Sequence, residues 1–254
     1  MSKAKQRILL LGGTGEARRL AGDLVDWPDL TVISSLAGRT RNAKRPAGEV
    51  RIGGFGGASG LAHYLEAAAI SAVIDATHPY AAEISANAAQ ACAASGRPLV
   101  TLHRPPWDKQ ADDRWIDAAD TAAAALLVPK LGACVFLTLG HKDLAAFAVC
   151  TGCRFLIRTI EPPEGLPWAD AEVIVGRGPF DTAAERALME RHGVTGLVSK
   201  NSGGDATYGK IVAARQLGLP VAMIARPPRA GGTIVHTAEE IFSWLRVFLR
   251  GRPA

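Results

Sequence analysis

Cysteine is scarce in this chain, with four residues in 254, and aromatic side chains make up only 6% of it. Cys150-Thr-Gly-Cys153 is the one close pair. No second pair and no His pair at ligand spacing accompanies it, so the roughly four ligands of a zinc site are not available. A thioredoxin-type pair should open a helix after a strand. Here the pair follows a helical-looking segment and precedes a strand-like one at 154–159, so it reads as structural. Runs of Lys or Arg are also missing, and with so few aromatics between the basic residues a nucleic-acid groove is not expected. No stretch approaches the roughly 20 apolar residues of a membrane span. The basic start, residues 1–7, leads into Ile8–Leu11, but the apolar run stops at Gly12-Gly13, too short for an export signal. The expectation is a cytoplasmic, soluble protein without membrane or nucleic-acid partners, and a monomer.

Hydrophobic residues make up 48% of the chain and charged residues 21%. That composition supports one large globular domain or two small ones. The formal net charge of +5 suits a small polyanionic ligand, whose encounter a positive field would speed.

The run 7–11 reads as a buried parallel strand ended by glycine. A helical pattern follows over 16–25, a β-branched strand over 30–33, a short helix over 61–69 and a strand over 72–75. An Ala-rich helix over 81–94 and a strand over 98–102 complete the series. Alternation at this spacing predicts a parallel sheet with helices on both faces. The second half repeats the plan, with strands at 134–138, 155–159, 172–175 and 196–199. Helices are expected from 143 and over 183–192, and an amphipathic helix over 237–250. There is an internal echo: Gly96-Arg-Pro-Leu-Val-Thr-Leu-His-Arg-Pro-Pro106 resembles Gly218-Leu-Pro-Val-Ala-Met-Ile-Ala-Arg-Pro-Pro228. The expected fold is α/β, with two Rossmann-like parallel-sheet half-domains and the cofactor and substrate in the cleft between them. The halves are cut at 1–104 and 105–254, with 104–115 as the linker.

Gly12-Gly13-Thr14-Gly15-Glu16-Ala17 lies where the first strand becomes the first helix. Glycines there let the backbone approach a pyrophosphate, and free N–H groups at the helix start attract its charge. The G-x-G-x-x-G pattern is only partly met, since Arg18 takes the third glycine position. About 20 residues on, an NAD site places an acid for the ribose hydroxyl. This chain instead has Ser34-Ser35-Leu36-Ala37-Gly38-Arg39-Thr40-Arg41, which suits a 2′-phosphate and predicts NADPH over NADH. Gly53-Gly54-Phe55-Gly56-Gly57 reads as a lid or a turn. Two more polar loops follow expected strand ends: Asp75-Ala-Thr-His-Pro-Tyr80, and Ser199-Lys-Asn-Ser-Gly-Gly204 with Thr207 and Lys210 beyond it.

Taken together, these strings resemble the precorrin-6A reductase family. The matching pieces run almost end to end: Ile8 to Ala17, Ser35 to Arg41, Ile74-Asp-Ala-Thr-His-Pro-Tyr-Ala81, Arg104-Pro-Pro-Trp107, Leu139-Gly-His-Lys142 and Ser199 to Gly204. The resemblance implies NADPH-dependent reduction of one double bond of the tetrapyrrole precorrin-6A, giving precorrin-6B in cobalamin biosynthesis. A cobalt-containing substrate belongs to the oxygen-independent branch of the same family. It also implies cofactor contacts from Gly12, Thr14, Gly15, Glu16, Ser35, Arg39, Thr40 and Thr77, with Lys142, Asn201, Ser202 and Gly203 adding to them. Tyr80, His78 and Lys200 are the expected catalytic residues, and no metal site is expected. The proton donor stays open among Tyr80, His78 and bulk water.

Rival readings fit less well. A short-chain dehydrogenase or epimerase would need Tyr-x-x-x-Lys, and none of Tyr64, Tyr80 or Tyr208 has Lys four residues on. A redox sensor that binds NADP without turnover would have no use for the His78 and Lys200 loops. A methyltransferase-like protein is disfavoured by the basic loop after the second strand.

Overall fold

The computed structural model describes residues 5–38, 44–163, 165–168, 170–229 and 231–251. Two compact units account for them: Met1–Arg104 together with Pro227–Ala254, and Pro105–Arg226.

The first unit begins with β1 (Gln6–Leu11), α1 (Gly15–Leu24), β2 (Leu30–Leu36), β3 (Glu49–Ile52), α2 (Gly57–Ala67), β4 (Ile70–Asp75), α3 (Ala82–Ser95) and β5 (Leu99–Leu102). The unbroken apolar run of β1 is explained by burial on both sheet faces. Side chains alternate across a strand: Ile8 and Leu10 pack with Leu20 and Leu24 of α1, whereas Leu9 and Leu11 pack with Leu61 and Leu65 of α2 and Ala88 of α3.

The second unit holds β6 (Arg114–Ala118), α4 (Thr121–Leu126), β7 (Cys134–Thr138), α5 (His141–Leu144), β8 (Arg154–Thr159), β9 (Glu172–Val175), α6 (Thr182–Arg191), β10 (Gly196–Lys200), α7 (Gly209–Gln216) and β11 (Pro220–Ile224). Its core gathers Phe136, Leu156, Met189, Leu197 and Ile211. The chain then returns to the first unit for β12 (Thr233–Val235) and α8 (Ala238–Arg250).

Each unit contains one six-stranded parallel sheet, ordered β12-β5-β4-β1-β2-β3 and β6-β11-β10-β7-β8-β9. The two orders are the same plan, with β1 to β5 answering to β7 to β11. The sixth strand is exchanged. β6 follows β5 along the chain yet pairs with β11, and β12 follows β11 yet pairs with β5. The two Arg-Pro-Pro strings of the internal echo sit at these crossings, 104–106 and 226–228.

The division therefore differs from a cut into 1–104 and 105–254, because residues 227–254 complete the first unit. Ile241 and Leu245 of α8 are fully buried in the cluster that holds Leu20 and Leu24. The helix start is fixed by a capping box in which Thr237 accepts from the Glu240 N–H and Glu240 reaches back. The expected linker 104–115 is short in practice: Trp107 is already core, and β6 starts at Arg114. The helix expected from 143 is a single turn at 141–144 followed by a 3-10 turn, Ala145–Phe147.

Candidate functional site

In the first sheet the chain runs from β1 outward to β2 and β3, then returns to the other side of β1 for β4 and β5. The switch point lies between β1 and β4, and open parallel sheets bind ligands outside the carboxyl ends of the strands at such a point. A pocket is found there, lined by Thr14 and Glu16 after β1, Thr77 and Pro79 after β4, and Leu102 and Arg104 at and after β5.

The turn after β1 is tightly built. Gly12 donates its N–H to the Ser35 carbonyl at 3.0 Å, tying the turn to the end of β2. Gly13 has φ +109°, which favours glycine. Thr14 is the N-cap of α1: its hydroxyl accepts from the Ala17 N–H at 3.0 Å and donates to the Ala76 carbonyl at 2.9 Å. No acceptor among the described residues takes the N–H of Gly13 or Gly15. A turn with open donors at a helix start fits a pyrophosphate.

Glu16 points into this pocket as a carboxylate and is ion-paired to Arg104 at 2.7 Å. Burial alone would raise its carboxyl; the Arg104 charge, its own backbone N–H and the Arg104 hydrogen bond outweigh that and hold it below the usual range. The pair leaves Arg104 beside the pocket as the cation that balances it.

Beyond β2, Ser35 is buried and lies 3.4 Å from an Nη1 donor of Arg51. Arg51 lies in β3 opposite Ser35 of β2; it donates to the Gly53 and Gly54 carbonyls at 2.6 Å each and lies 3.8 Å over the Phe55 ring. Sequence reasoning passed over Arg51 because β3 is a four-residue edge strand, half exposed, with no apolar run to announce it. The expected cofactor residues Arg39 and Thr40 lie outside the described residues.

The loop after β4 carries His78 and Tyr80, whose rings sit 5.8 Å apart between centroids; the Tyr80 N–H reaches His78 Nδ1 at 3.3 Å. At the root of the loop, Asp75 accepts from the Thr77 hydroxyl and the Ser85 hydroxyl, both at 2.6 Å. Gly12, Thr14, Gly15, Glu16, Ser35, Thr77, His78 and Tyr80 thus all belong to one sheet edge of the first unit.

Lys142, Lys200, Asn201, Ser202 and Gly203 belong to the second unit, at the ends of β7 and β10. Lys142 is exposed on α5. Lys200 is ion-paired to Asp143 at 2.6 Å, a partner the sequence reading did not pick out. Asn201 is committed to its own fold: its Oδ1 accepts from the Trp107 N–H at 2.7 Å and its Nδ2 donates to the Trp107 carbonyl at 3.0 Å. Gly203 has φ +68°, and a Cβ there would stand 2.0 Å from the Pro105 carbonyl oxygen, so glycine is required by close packing. Both residues hold the segment entering the second unit, and Arg226 adds to it with bonds to the Asn201 and Pro105 carbonyls at 2.7 and 3.1 Å.

Lys210, on α7, is buried beside the Arg158–Glu185 pair and donates to the Thr207 carbonyl at 3.2 Å. Burial first, and then the Arg158 charge, push its ammonium down to about 7, with Glu185 opposing. Cys150 and Cys153 are free thiols, both raised by burial.

Comparison with known proteins gives a consistent result. The family model described as Precorrin-6x reductase CbiJ/CobK matches residues 7–246. A precorrin-6A reductase of Rhodococcus erythropolis is 52% identical over 247 residues, covering 96% of this chain and 99% of that protein. A cobalt-precorrin-6A reductase of Priestia megaterium is 31% identical over 246 residues, 92% and 96% of the two chains. Among solved structures, a CobK precorrin-6A reductase superposes with a TM-score of 0.89 at 43% identity, covering 96% of this chain and 97% of that one.

Proposed function

Since the chain belongs to the precorrin-6x reductase family, we propose that it reduces precorrin-6A to precorrin-6B with NADPH, in the assembly of the corrin ring. The observation that carries this reading is the 52% identity, almost end to end, with a protein named for that reaction. The cobalt-containing macrocycle is the second substrate to test, because a relative named for it is 31% identical over nearly the same span.

The reaction adds one hydride and one proton across a double bond and leaves NADP. When bound, NADPH supplies the hydride. The chain's own contribution is then to bind, to orient and to balance charge. Gly12, Thr14 and Gly15 would face the pyrophosphate, supported by the open N–H groups of Gly13 and Gly15. Glu16, neutralised by Arg104, would bind a cofactor hydroxyl instead of repelling phosphate. Ser35, Arg39 and Thr40 would take the 2′-phosphate. Thr77, His78 and Tyr80, beside the switch-point pocket, would approach the nicotinamide and the macrocycle. The His78 imidazole, the Tyr80 hydroxyl or bulk water would supply the proton.

Lys142 and Lys200 would neutralise macrocycle carboxylates or cofactor phosphate. Ser202 would lend a hydrogen bond; Asn201 would serve by holding the Lys200 loop in place through its two bonds to the Trp107 backbone, and Gly203 by packing close against the Pro105 carbonyl.

The test is anaerobic mixing of the protein with NADPH and precorrin-6A, following nucleotide and macrocycle absorbance together. Stoichiometric loss of NADPH with a matching macrocycle change is expected. Oxidation only with the cobalt form would move the chain to the oxygen-independent branch. Tight NADPH binding with no oxidation of either kind would leave the sensor reading.

A further inference from the structure

Asp75 closes β4 with 1% of its surface exposed, so its carboxylate must find its donors inside the protein. Four are present. Thr77 gives its N–H at 3.0 Å and its hydroxyl at 2.6 Å, Ser85 gives its hydroxyl at 2.6 Å, and Arg229 gives Nη1 at 2.7 Å. Three of the donors are local. The fourth arrives from 154 residues away, on the return segment that leads into β12.

Arg229 does more than neutralise a charge. Its side chain is 5% exposed, and it uses both ends of its planar fork. Nη1 also meets the Ser85 hydroxyl at 2.5 Å, at the first turn of α3. Nη2 reaches the carbonyl oxygens of His78 at 3.2 Å and, more weakly, of Thr77 at 3.4 Å. The His78 carbonyl also accepts from the Ala81 N–H at 2.8 Å, which closes the turn that carries Pro79 and Tyr80. One guanidinium therefore joins the end of β4, the start of α3 and the backbone of the intervening loop. A lysine could keep the ion pair but lacks the fork to reach both sides.

We propose that Arg229 is a positioning residue, which fixes the 77–81 loop so that His78 and Tyr80 are presented in one orientation to their ligands. The inference rests on the reductase reading above only for its kinetic consequence; the ordering of the loop is independent of it. A shift of about 1 Å at a reacting group can cost a factor of order 100 in rate. Arg229 itself is not among the residues that line the switch-point pocket.

The test compares Arg229→Lys with the wild type, since Arg229→Ala would strand a buried carboxylate and endanger folding. Expected for Arg229→Lys are an unchanged thermal unfolding profile within a few degrees and an NADPH Kd within about threefold. With these, kcat should fall by about 10- to 100-fold, and amide exchange at Tyr80 and Ala81 should accelerate while β1 and β4 keep their protection. Wild-type kcat with wild-type exchange at Ala81 would overturn the proposal, as would a loss of stability with kcat per folded molecule unchanged. Should the wild type itself fail to oxidise NADPH with either macrocycle, the reductase reading falls, and the exchange comparison still decides on Arg229.

Discussion

The hydroxyl of Thr14 bridges two chain segments, accepting from the Ala17 N–H at 3.0 Å and donating to the Ala76 carbonyl at 2.9 Å. One oxygen thereby caps α1 and ties the first turn to the end of β4, the two sides of the switch point. Thr14→Ala should lose the cap, at a cost of about 1 kcal/mol, and release the turn from Ala76. NADPH affinity should fall with it, while Thr14→Ser keeps both bonds and nearly wild-type values. Thermal unfolding and fluorescence titration with NADPH read the two effects; an unchanged Kd in Thr14→Ala would detach the cap from cofactor binding.

Arg51 supports a second expectation. Its guanidinium is steadied by two carbonyls and the Phe55 ring next to the Ser35 hydroxyl, at the end of the sheet where a 2′-phosphate would lie. Removing one charge-assisted contact in Arg51→Ala should weaken NADPH by roughly tenfold or somewhat more, and NADH by distinctly less. Parallel titrations with the two nucleotides check this. Equal weakening would give Arg51 a role only in ordering the 53–57 turn.

The sheet strands were legible wherever burial on both faces leaves a continuous apolar run, as in Ile8–Leu11, or a β-branched one, as in Val32 and Ile33. What escaped were β3, β6, β12 and α4. Glu49–Ile52, Arg114–Ala118 and Thr233–Val235 are edge strands of three to five residues with alternating or exposed side chains, and such strands have no hydrophobic signature longer than a turn's. The strand exchange was equally hidden: local pattern says where a strand is, and only pairing says which sheet it joins. At the site, the glycine turn and the 75–80 loop were readable because their residue types are chemically demanding. Asp143 and Arg229 were given no site role, and Arg104 entered only as part of a matching string, since an arginine or aspartate acquires its meaning from a partner distant in sequence.

Lys210 sets a pH dependence of stability. Its ammonium is lowered from 10.5 to about 7 in the folded protein, by burial and then by Arg158. Below about pH 7 the folded and unfolded chains both carry the proton, so the full cost of burying the charge is felt. Between about 7 and 10.5 the unfolded chain binds more protons than the folded one, and stability from this residue rises with pH. Lys210→Met should therefore be stabilising relative to the wild type near pH 6, with the advantage shrinking as pH rises towards 10. Urea unfolding across pH 6–10 measures it, and a difference independent of pH would show that Lys210 titrates normally in the fold.

The carboxy-terminal segment bears on where the protein divides. α8 seats Ile241 and Leu245, both fully buried, against Leu20 and Leu24, and β12 pairs with β5. If residues 227–254 are structurally part of the first unit, damage to α8 should be felt at β1, β4 and β5 and not at β7 or β10. Leu245→Ala leaves a cavity in a packed core and should cost about 2–5 kcal/mol. Amide exchange should quicken in strands of the first sheet, and NADPH binding should weaken because the glycine turn is anchored there. Were the second half a self-contained 105–254, the same substitution would instead open β10 and β11 and leave the nucleotide turn intact. Exchange mapped strand by strand separates the two outcomes, because in each case the loosened strands are those that share a core with Leu245.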